Sequence, residues 1–368
     1  MTHPPQAPRR TRLDRLLRTA SVVVPLGLLG NLALTLAKTG RGVWSALATF
    51  PLPSLALAVV LSLLPWLTNA WRIQLWTSFL GRPLAFRQAL RIQLATEIGS
   101  AATPTASGGE FFKWAFYLRH GFSPGTAASL TALTVLEDTL FFALAIPTAL
   151  ALSDAGRLPV LRAIGREFRE RTFVVVPLLL LGLSAVLLTV WATLRGAFGG
   201  RARRWSLRRL ARARHRWRVF WRDAGDVYRE LIARGKRRFA LSFLLTAVQW
   251  SARYSVAAAL LSYLRVPIDP LLSFVLQWTL FTLLNLVPTP GATGGAEAAF
   301  LLLYSPFVPR RLLGLATASW RFLMFYLPLG LGAALFWALS AAEEGRRGPP
   351  WRALSNASTN TSSAALRR

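Results

Sequence analysis

The sequence predicts an all-α protein, a polytopic bundle of transmembrane helices, and three features support this fold class. Hydrophobic residues make up 53% of the 368 residues and charged residues only 16%, which is far from the composition of a soluble domain. Apolar stretches of about 20 residues, each long enough to cross a hydrocarbon core of about 30 Å, recur along the chain. Arginine clusters separate these stretches, as is typical of loops at a membrane surface.

Six apolar stretches are long enough to be complete spans. They cover about residues 19–37, 51–71, 126–152, 172–194, 239–264 and 312–339. Two more, at about 90–118 and 271–305, are interrupted by proline and glycine and predict broken helices. The prediction is therefore about six full spans plus two re-entrant broken-helix segments.

The charge pattern divides the chain into three parts: a basic leader at 1–18, a membrane domain at 19–340 and a Ser/Asn/Arg-rich tail at 341–368, which we expect to be disordered. Because arginine-rich segments stay on the cytoplasmic side, both termini are predicted to be cytoplasmic. The same rule predicts the inner, cytoplasmic membrane as the location.

The membrane domain divides into two halves, at about 51–152 and 239–339, with a basic segment at 195–238 before the second half. Arginines alternate with tryptophan and leucine in this basic segment, which predicts a helix lying in the cytoplasmic interface.

The formal net charge of +29 has two interpretations, nucleic-acid binding or contact with anionic lipid. Because the arginines lie between apolar spans rather than on one basic domain, anionic headgroups are the predicted partner and no nucleic acid is expected. The chain has no cysteine, and its three histidines are scattered in tails and loops. We therefore expect no disulfide, no metal site and no cofactor.

Helix-breaking residues are concentrated at two places that resemble each other, Thr103 to Glu110 and Thr289 to Glu297. Proline blocks a continuing helix and glycine permits a tight turn, so each place predicts two half-helices joined by unwound backbone. Such backbone is tolerated at membrane depth only inside protein or beside a wet cavity. The candidate residues of the two motifs are Pro104, Gly108, Gly109, Glu110, Pro290, Gly291, Gly294, Gly295 and Glu297.

The predicted threading lets the first broken segment enter from the cytoplasm and the second from outside, which makes the two halves an inverted repeat. Transporters built this way bind their substrate near the bilayer midplane, at the interface of the repeats. The alternative interpretation is that proline and glycine are simply more frequent in membrane helices than in soluble ones.

Several ionisable residues fall within or beside apolar stretches, where an unpaired charge costs at least about 2.5–3.5 kcal/mol. They are Glu110, Lys113, Glu137, Asp138, Arg253, Glu297 and Arg321. We expect Lys113 to pair with Glu110, three residues earlier on one helix face, and Arg321 to pair with Glu297 or Glu137.

Glu137 and Asp138 are adjacent, so they point roughly 100° apart on a helix and are expected to have different partners. They are candidates for a proton relay or for structural salt bridges between the two halves. Arg72 and Arg91 lie near span ends and are predicted to extend to lipid headgroups.

These motifs resemble the lysylphosphatidylglycerol synthase transmembrane, or flippase-domain, family over about residues 15–340. In the first half, Pro104, Gly109-Glu110 and Lys113 match a Pro…Gly-Glu-x-x-Arg pattern, with lysine in place of arginine. Gly121-Phe122-Ser123 resembles the Gly-x-Ser of the family.

The second half shows the corresponding family signatures, Pro-Gly-Gly…Glu followed by Arg…Pro…Gly. Its matching residues are Pro288, Pro290, Gly291, Gly294, Gly295, Glu297, Arg321, Pro328 and Gly330. The chain departs from the pattern at Asp138, where the family often has Arg.

The resemblance implies a lipid flippase-like transporter, not an enzyme, that moves a phospholipid or aminoacyl-phospholipid between leaflets. No synthase domain is expected to follow the membrane domain. A carrier of polyprenyl-linked sugar lipids, a membrane-embedded transferase and an envelope scaffold protein are the alternatives. A second copy of the chain and an envelope-lipid synthesising enzyme are further candidate partners.

Overall fold

The computed structural model describes residues 52–103, 108–159, 161–163, 165–166, 200–287 and 289–347. Within these ranges the chain is helical and forms no β-strand, as predicted for an all-α protein. The predicted spans at 19–37 and 172–194, the basic leader and Pro104 lie outside the described residues.

The helices follow each other in this order: α1 (Leu52–Phe79), α2 (Phe86–Ala102), α3 (Gly108–Arg119), α4 (Pro124–Leu152), α5 (Gly200–Arg234), α6 (Lys236–Tyr263), α7 (Pro270–Leu284), α8 (Gly295–Tyr304), α9 (Arg310–Arg321) and α10 (Leu327–Arg347). A π-helical segment, Phe322–Tyr326, joins α9 to α10 without a break in the helical path. The last helix ends at Arg347, beyond the predicted domain boundary at residue 340.

Local sequence explains where two of these helices begin. Ser123 precedes α4, and its Oγ accepts a hydrogen bond from the backbone N–H of Thr126. Asp269 precedes α7 and accepts in the same way from the N–H of Leu271. A proline follows each cap, at the helical position where its missing N–H costs nothing.

Three helical stretches are long and apolar enough to cross a membrane: Ala56–Phe79, Pro124–Leu152 and Arg310–Ala341. They coincide with three of the predicted spans. Helix α6 covers the predicted span at 239–264 but carries buried polar residues, among them Thr246 and Gln249. The total number of spans and the inverted repeat stay predictions.

Both predicted helix breaks are confirmed. The first separates α2 from α3, where Thr103 has extended backbone and its Oγ1 accepts a hydrogen bond from the N–H of Gly108 at 2.9 Å. The second separates α7 from α8, and a 3₁₀ turn, Pro290–Ala292, lies inside it. Gly291 and Gly294 adopt positive φ angles of 61° and 82°, which glycine accepts without strain.

Each broken segment folds back on itself as a helical hairpin, α2 against α3 and α7 against α8. We call these the first and second hairpins. The first is closely packed, because a Cβ on Gly109 would lie 2.0 Å from Ser100 Oγ and 2.8 Å from the Thr96 carbonyl oxygen. Helix α2 also contacts the Pro290–Ala292 turn, so the first hairpin meets the break of the second hairpin inside the protein.

The apolar interior consists of two clusters. One is built mainly from α1 to α4 and α10, and the other mainly from α6 to α9. Helices α1 and α6 pack against each other extensively and join the two clusters. The space between the clusters is where the hairpins meet.

The basic segment predicted to lie in the interface forms one long helix, α5. Trp217 and Trp221 on it are exposed. Helix α5 packs closely on the start of α4, because a Cβ on Gly125 would lie 2.3 Å from the Phe220 carbonyl oxygen. A helix with exposed tryptophans and many arginines is suited to anchoring this end of α4 at a headgroup layer.

Replacing Gly109 with alanine tests the first hairpin. The added Cβ has no room between α2 and α3, so the hairpin must open and the protein must lose stability. We expect the midpoint of thermal unfolding in detergent to fall by at least about 2 °C. Gly225→Ala in α5 is the matched control, because a Cβ there meets no atom within 4 Å. Equal midpoints for the two variants would contradict the close packing.

Candidate functional site

A cavity of about 310 Å³, lined by apolar and charged side chains, lies where the two hairpins meet. Helices α1 to α4, α6 and α7, the Gly291 turn and the region from α9 to α10 contribute its walls. Six ionisable residues line it: Glu97, Glu110, Lys113, Asp138, Arg253 and Arg321. The volume is at the lower end of the range for small-molecule sites, and the charges inside it are unusual for a space between apolar helices.

The first hairpin contributes Glu110 and Lys113, which form the predicted pair. Lys113 Nζ donates to Glu110 Oε1 at 3.0 Å and to Thr134 Oγ1 at 3.4 Å. Lys113 is buried. Because Gly108 and Gly109 precede Glu110, this carboxylate lies in the first turn of α3, where the helix dipole favours a negative charge.

The second hairpin contributes Glu297 in the same position, in the first turn of α8. Arg321 Nε lies 3.2 Å from Glu297 Oε1, so Glu297 is the partner of Arg321 and Glu137 is not. The guanidinium also donates to the Gly291 carbonyl oxygen and stacks over the Phe325 ring, 4.2 Å from its centroid. Arg321 thereby ties the end of α9 to the turn of the hairpin.

Glu137 is completely buried, and its partner is Arg72. Arg72 donates to Glu137 Oε2 through Nη2 at 2.7 Å and through Nε at 3.1 Å. Its Nη1 donates to Asn69 Oδ1 and Gln249 Oε1, and Trp76 Nε1 donates to Glu137 Oε1. This network joins α1, α4 and α6, and it favours a structural role for Glu137.

Two predictions about these charges are wrong. Arg72 is only 1% exposed and points into the protein, not to lipid headgroups. Asp138 does not have a partner of its own, because its Oδ1 lies 3.1 Å from Arg72 Nη2, the atom that also contacts Glu137. The prediction of different partners considered only the angle between adjacent helix residues. A guanidinium is large enough to bridge two such carboxylates. Arg91 lies near the Phe116 ring.

Arg253 on α6 faces Glu97 on α2, with Arg253 Nη1 3.6 Å from Glu97 Oε1. Gln93 Nε2 donates to the same carboxylate at 3.1 Å. Sequence reasoning missed Glu97 and Gln93 as site residues. Their spacing of four residues within an apolar stretch could have identified them, because it places both on one face of a helix.

The predicted glycines have different roles in the structure. Gly291 lines the cavity, whereas Gly108, Gly109, Gly294 and Gly295 shape the hairpins, with Gly295 packed against Val287. The half-helix N-termini are partly satisfied within the protein, since Gly294 N–H donates to Glu297 Oε2 at 2.8 Å. Recognition of an anion in the cavity therefore depends on side chains more than on helix dipoles.

Across the described ranges, no group of three or more His, Cys, Asp or Glu side chains is arranged to hold a metal ion. Guanidinium, ammonium and indole groups line the cavity as donors, carboxylates as acceptors, and hydroxyl and amide groups can act as either. This combination can bind a polar group that carries both charges, through hydrogen bonds and ion pairs.

The fold and the site define a helical membrane protein with a charged internal cavity. The chain belongs to the family described as the lysylphosphatidylglycerol synthase TM region, whose model matches residues 19–332. This confirms the resemblance predicted from the motifs. The chain is also 25% identical over 307 residues to a UPF0104 membrane protein from Archaeoglobus fulgidus, covering 79% of this chain and 88% of the relative.

Arg72→Ala tests the buried network. The substitution leaves Glu137 and Asp138 without their shared cation. Losing one partner of a buried ion pair costs about 3–5 kcal/mol. We expect a large loss of stability in denaturant unfolding. The control is Arg157→Ala, which removes a pair with Asp154 whose side chains are 86% and 81% exposed, and should change little.

A double replacement separates charge from packing at the same place. Arg72→Met combined with Glu137→Gln removes both buried charges while it keeps much of the side-chain volume. We expect it to be more stable than Arg72→Ala alone. If the double variant is as unstable as the single one, the loss does not come from an uncompensated Glu137 carboxylate.

Proposed function

We propose that this protein is a lipid transporter of the flippase or scramblase type, which moves a phospholipid or aminoacyl-phospholipid headgroup through the cavity between the two hairpins. The acyl chains stay in the bilayer while the headgroup passes. The observation that carries this proposal is a cavity lined by six ionisable residues, at the place where the first hairpin contacts the break of the second. Backbone breaks and charges at membrane depth are typical of transport sites.

The chemistry of the cavity supports a headgroup as the cargo. Three carboxylates and three cationic side chains line it, so a polar group that enters can exchange water for fixed partners. Arg253 and Arg321 are suited to a phosphate, because guanidinium groups bind phosphate oxygens through paired N–H donors. Family membership supports the same class of cargo, since the family takes its name from the membrane region of a lipid-modifying enzyme.

The proposal includes a place in the cell and a direction of threading. We propose that the protein lies in the cytoplasmic membrane with both termini inside, and that the basic helix α5 contacts anionic headgroups there. Membrane lipids are its partners in this account. A homo-oligomer and an envelope-lipid synthesising enzyme remain candidate partners.

The alternatives make different predictions. A carrier of polyprenyl-linked sugars would move polyprenyl phosphates through the same cavity and leave phospholipids in place. A membrane-embedded transferase would need Glu110 or Glu137 as a base within hydrogen-bonding reach of its substrate. Glu137 is occupied by Arg72 and Trp76, and Glu110 is paired with Lys113 through one of its two oxygens. A scaffold protein would not depend on the charges of the cavity.

A leaflet-accessibility assay in proteoliposomes tests the proposed function. We expect fluorescent phospholipids to move to the opposite leaflet in liposomes that contain the wild-type protein, and not in empty liposomes. We expect Arg321→Gln to reduce the rate by about tenfold or more, because it removes the cation that holds Gly291 and faces the cavity.

The control is Arg310→Gln, which removes an exposed arginine at the start of α9 and should keep the wild-type rate. Folding of each variant is checked by its elution volume and thermal midpoint in detergent. Movement of polyprenyl phosphates alone would favour the sugar-lipid carrier. No movement of any lipid by folded protein would contradict lipid transport.

A further inference from the structure

The wall of the cavity carries hydrogen-bond acceptors that lack donors. Gln93 Oε1, Glu110 Oε2 and Asp138 Oδ1 are buried and accept no hydrogen bond from any described residue. All three residues line the cavity. Buried acceptors in native proteins almost always have a donor, so three orphans around one cavity indicate that the donor is a molecule that enters it.

Gln93 is the most informative of the three residues, because its side chain is only 4% exposed and a hydrogen bond determines the orientation of its amide group. Its Nε2 donates to Glu97 Oε1 at 3.1 Å. Exchanging the amide nitrogen and oxygen would place two oxygens against each other, so the carbonyl oxygen is the atom left without a partner. This oxygen can be satisfied only by a group that carries an N–H or O–H.

The remaining acceptors add negative charge to the wall of the cavity. Asp138 Oδ1 faces Arg72 Nη2 at 3.1 Å, but it receives no aligned hydrogen bond from it. Glu110 uses Oε1 for Lys113 and leaves Oε2 unused. Two carboxylates and one amide oxygen form a binding group for a cation that carries N–H donors.

One buried donor without an acceptor among the described residues, the Trp250 indole, also lines the cavity. Arg253 is adjacent, with its guanidinium 5.9 Å from the Trp250 ring centroid, and it reaches Gln93 through Glu97. The contacts from Gln93 to Glu97 and from Glu97 to Arg253 therefore connect the acceptors with the donors.

We propose that the cavity selects a phospholipid whose phosphate is followed, after a short linker, by a primary ammonium group. The ammonium donates to Gln93, Glu110 and Asp138, and the phosphate accepts from Trp250 and Arg253. This inference rests on the proposed lipid transport and adds the substrate class. A quaternary ammonium has no N–H to give, and its usual binding site is a cage of aromatic rings rather than of oxygens.

Three lipids with identical labelled acyl chains test the selectivity in proteoliposomes. Phosphatidylethanolamine has the primary ammonium, phosphatidylcholine has the same net charge without N–H donors, and phosphatidylglycerol has hydroxyl donors but no ammonium. We expect phosphatidylethanolamine to cross at least about tenfold faster than the other two, the difference that a charge-assisted hydrogen bond provides. Equal rates for all three would overturn the ammonium site while leaving lipid transport intact.

Variants locate the selectivity in the acceptor group. Gln93→Leu removes the orphan oxygen and should lower the ratio of phosphatidylethanolamine to phosphatidylcholine rates toward one. Glu110→Gln, at a less buried position, should lower the same ratio and serves if Gln93→Leu does not fold. Asp154→Asn is the control, because it removes an exposed carboxylate outside the cavity and should keep the ratio.

Two further results would decide against the proposal. A wild-type ratio in folded Gln93→Leu and Glu110→Gln would show that the orphan oxygens are satisfied by water and do not bind the headgroup. Rates that fall equally for all lipids in both variants would assign these residues to the structure of the hairpin. If wild-type protein moves no lipid, the transport function fails first, and that outcome is distinct from a loss of selectivity.

Discussion

The buried contact between Arg72 and Glu137 is the interaction on which the rest of this structure depends. It joins α1, α4 and α6 at a place where neither charge can reach water, so each side chain must satisfy the other. Asn69, Gln249 and Trp76 complete the hydrogen bonds of the pair. Because these helices are fixed to one another, the two hairpins can break and meet beside them without loss of the fold.

The hairpins then determine what the centre of the protein can do. Each has a glutamate in the first turn of its second half-helix, and a basic residue forms an ion pair with it: Lys113 with Glu110, and Arg321 with Glu297. These pairs stabilise the breaks, whereas the cavity between them keeps acceptors and donors that the protein does not use itself. Stability and binding are thereby assigned to different atoms of the same residues, as the two oxygens of Glu110 illustrate.

Sequence patterns were sufficient for the breaks and for the local pairs. Proline and glycine define the ends of α2 and α7 through backbone geometry alone, and Lys113 lies one helical turn from Glu110. Patterns could not predict the partner of Glu137, because Arg72 is 65 residues away and a residue near a span end can point either outward or inward. The spacing of Gln93 and Glu97 could have identified a polar face on α2, but the partner of Glu97, Arg253, lies on α6 and only the structure shows that contact.

The central claim is that water and headgroups reach the cavity, and thiol labelling tests it directly, since the chain has no native cysteine. Ser100→Cys places a thiol on the cavity wall, and Leu244→Cys places one on the exposed apolar surface of α6. A small, membrane-impermeant thiol reagent applied to the protein in liposomes should label the first and not the second. Failure to label Ser100→Cys from either side, in folded protein, would contradict the account, because a dry and closed cavity cannot carry a headgroup across the membrane.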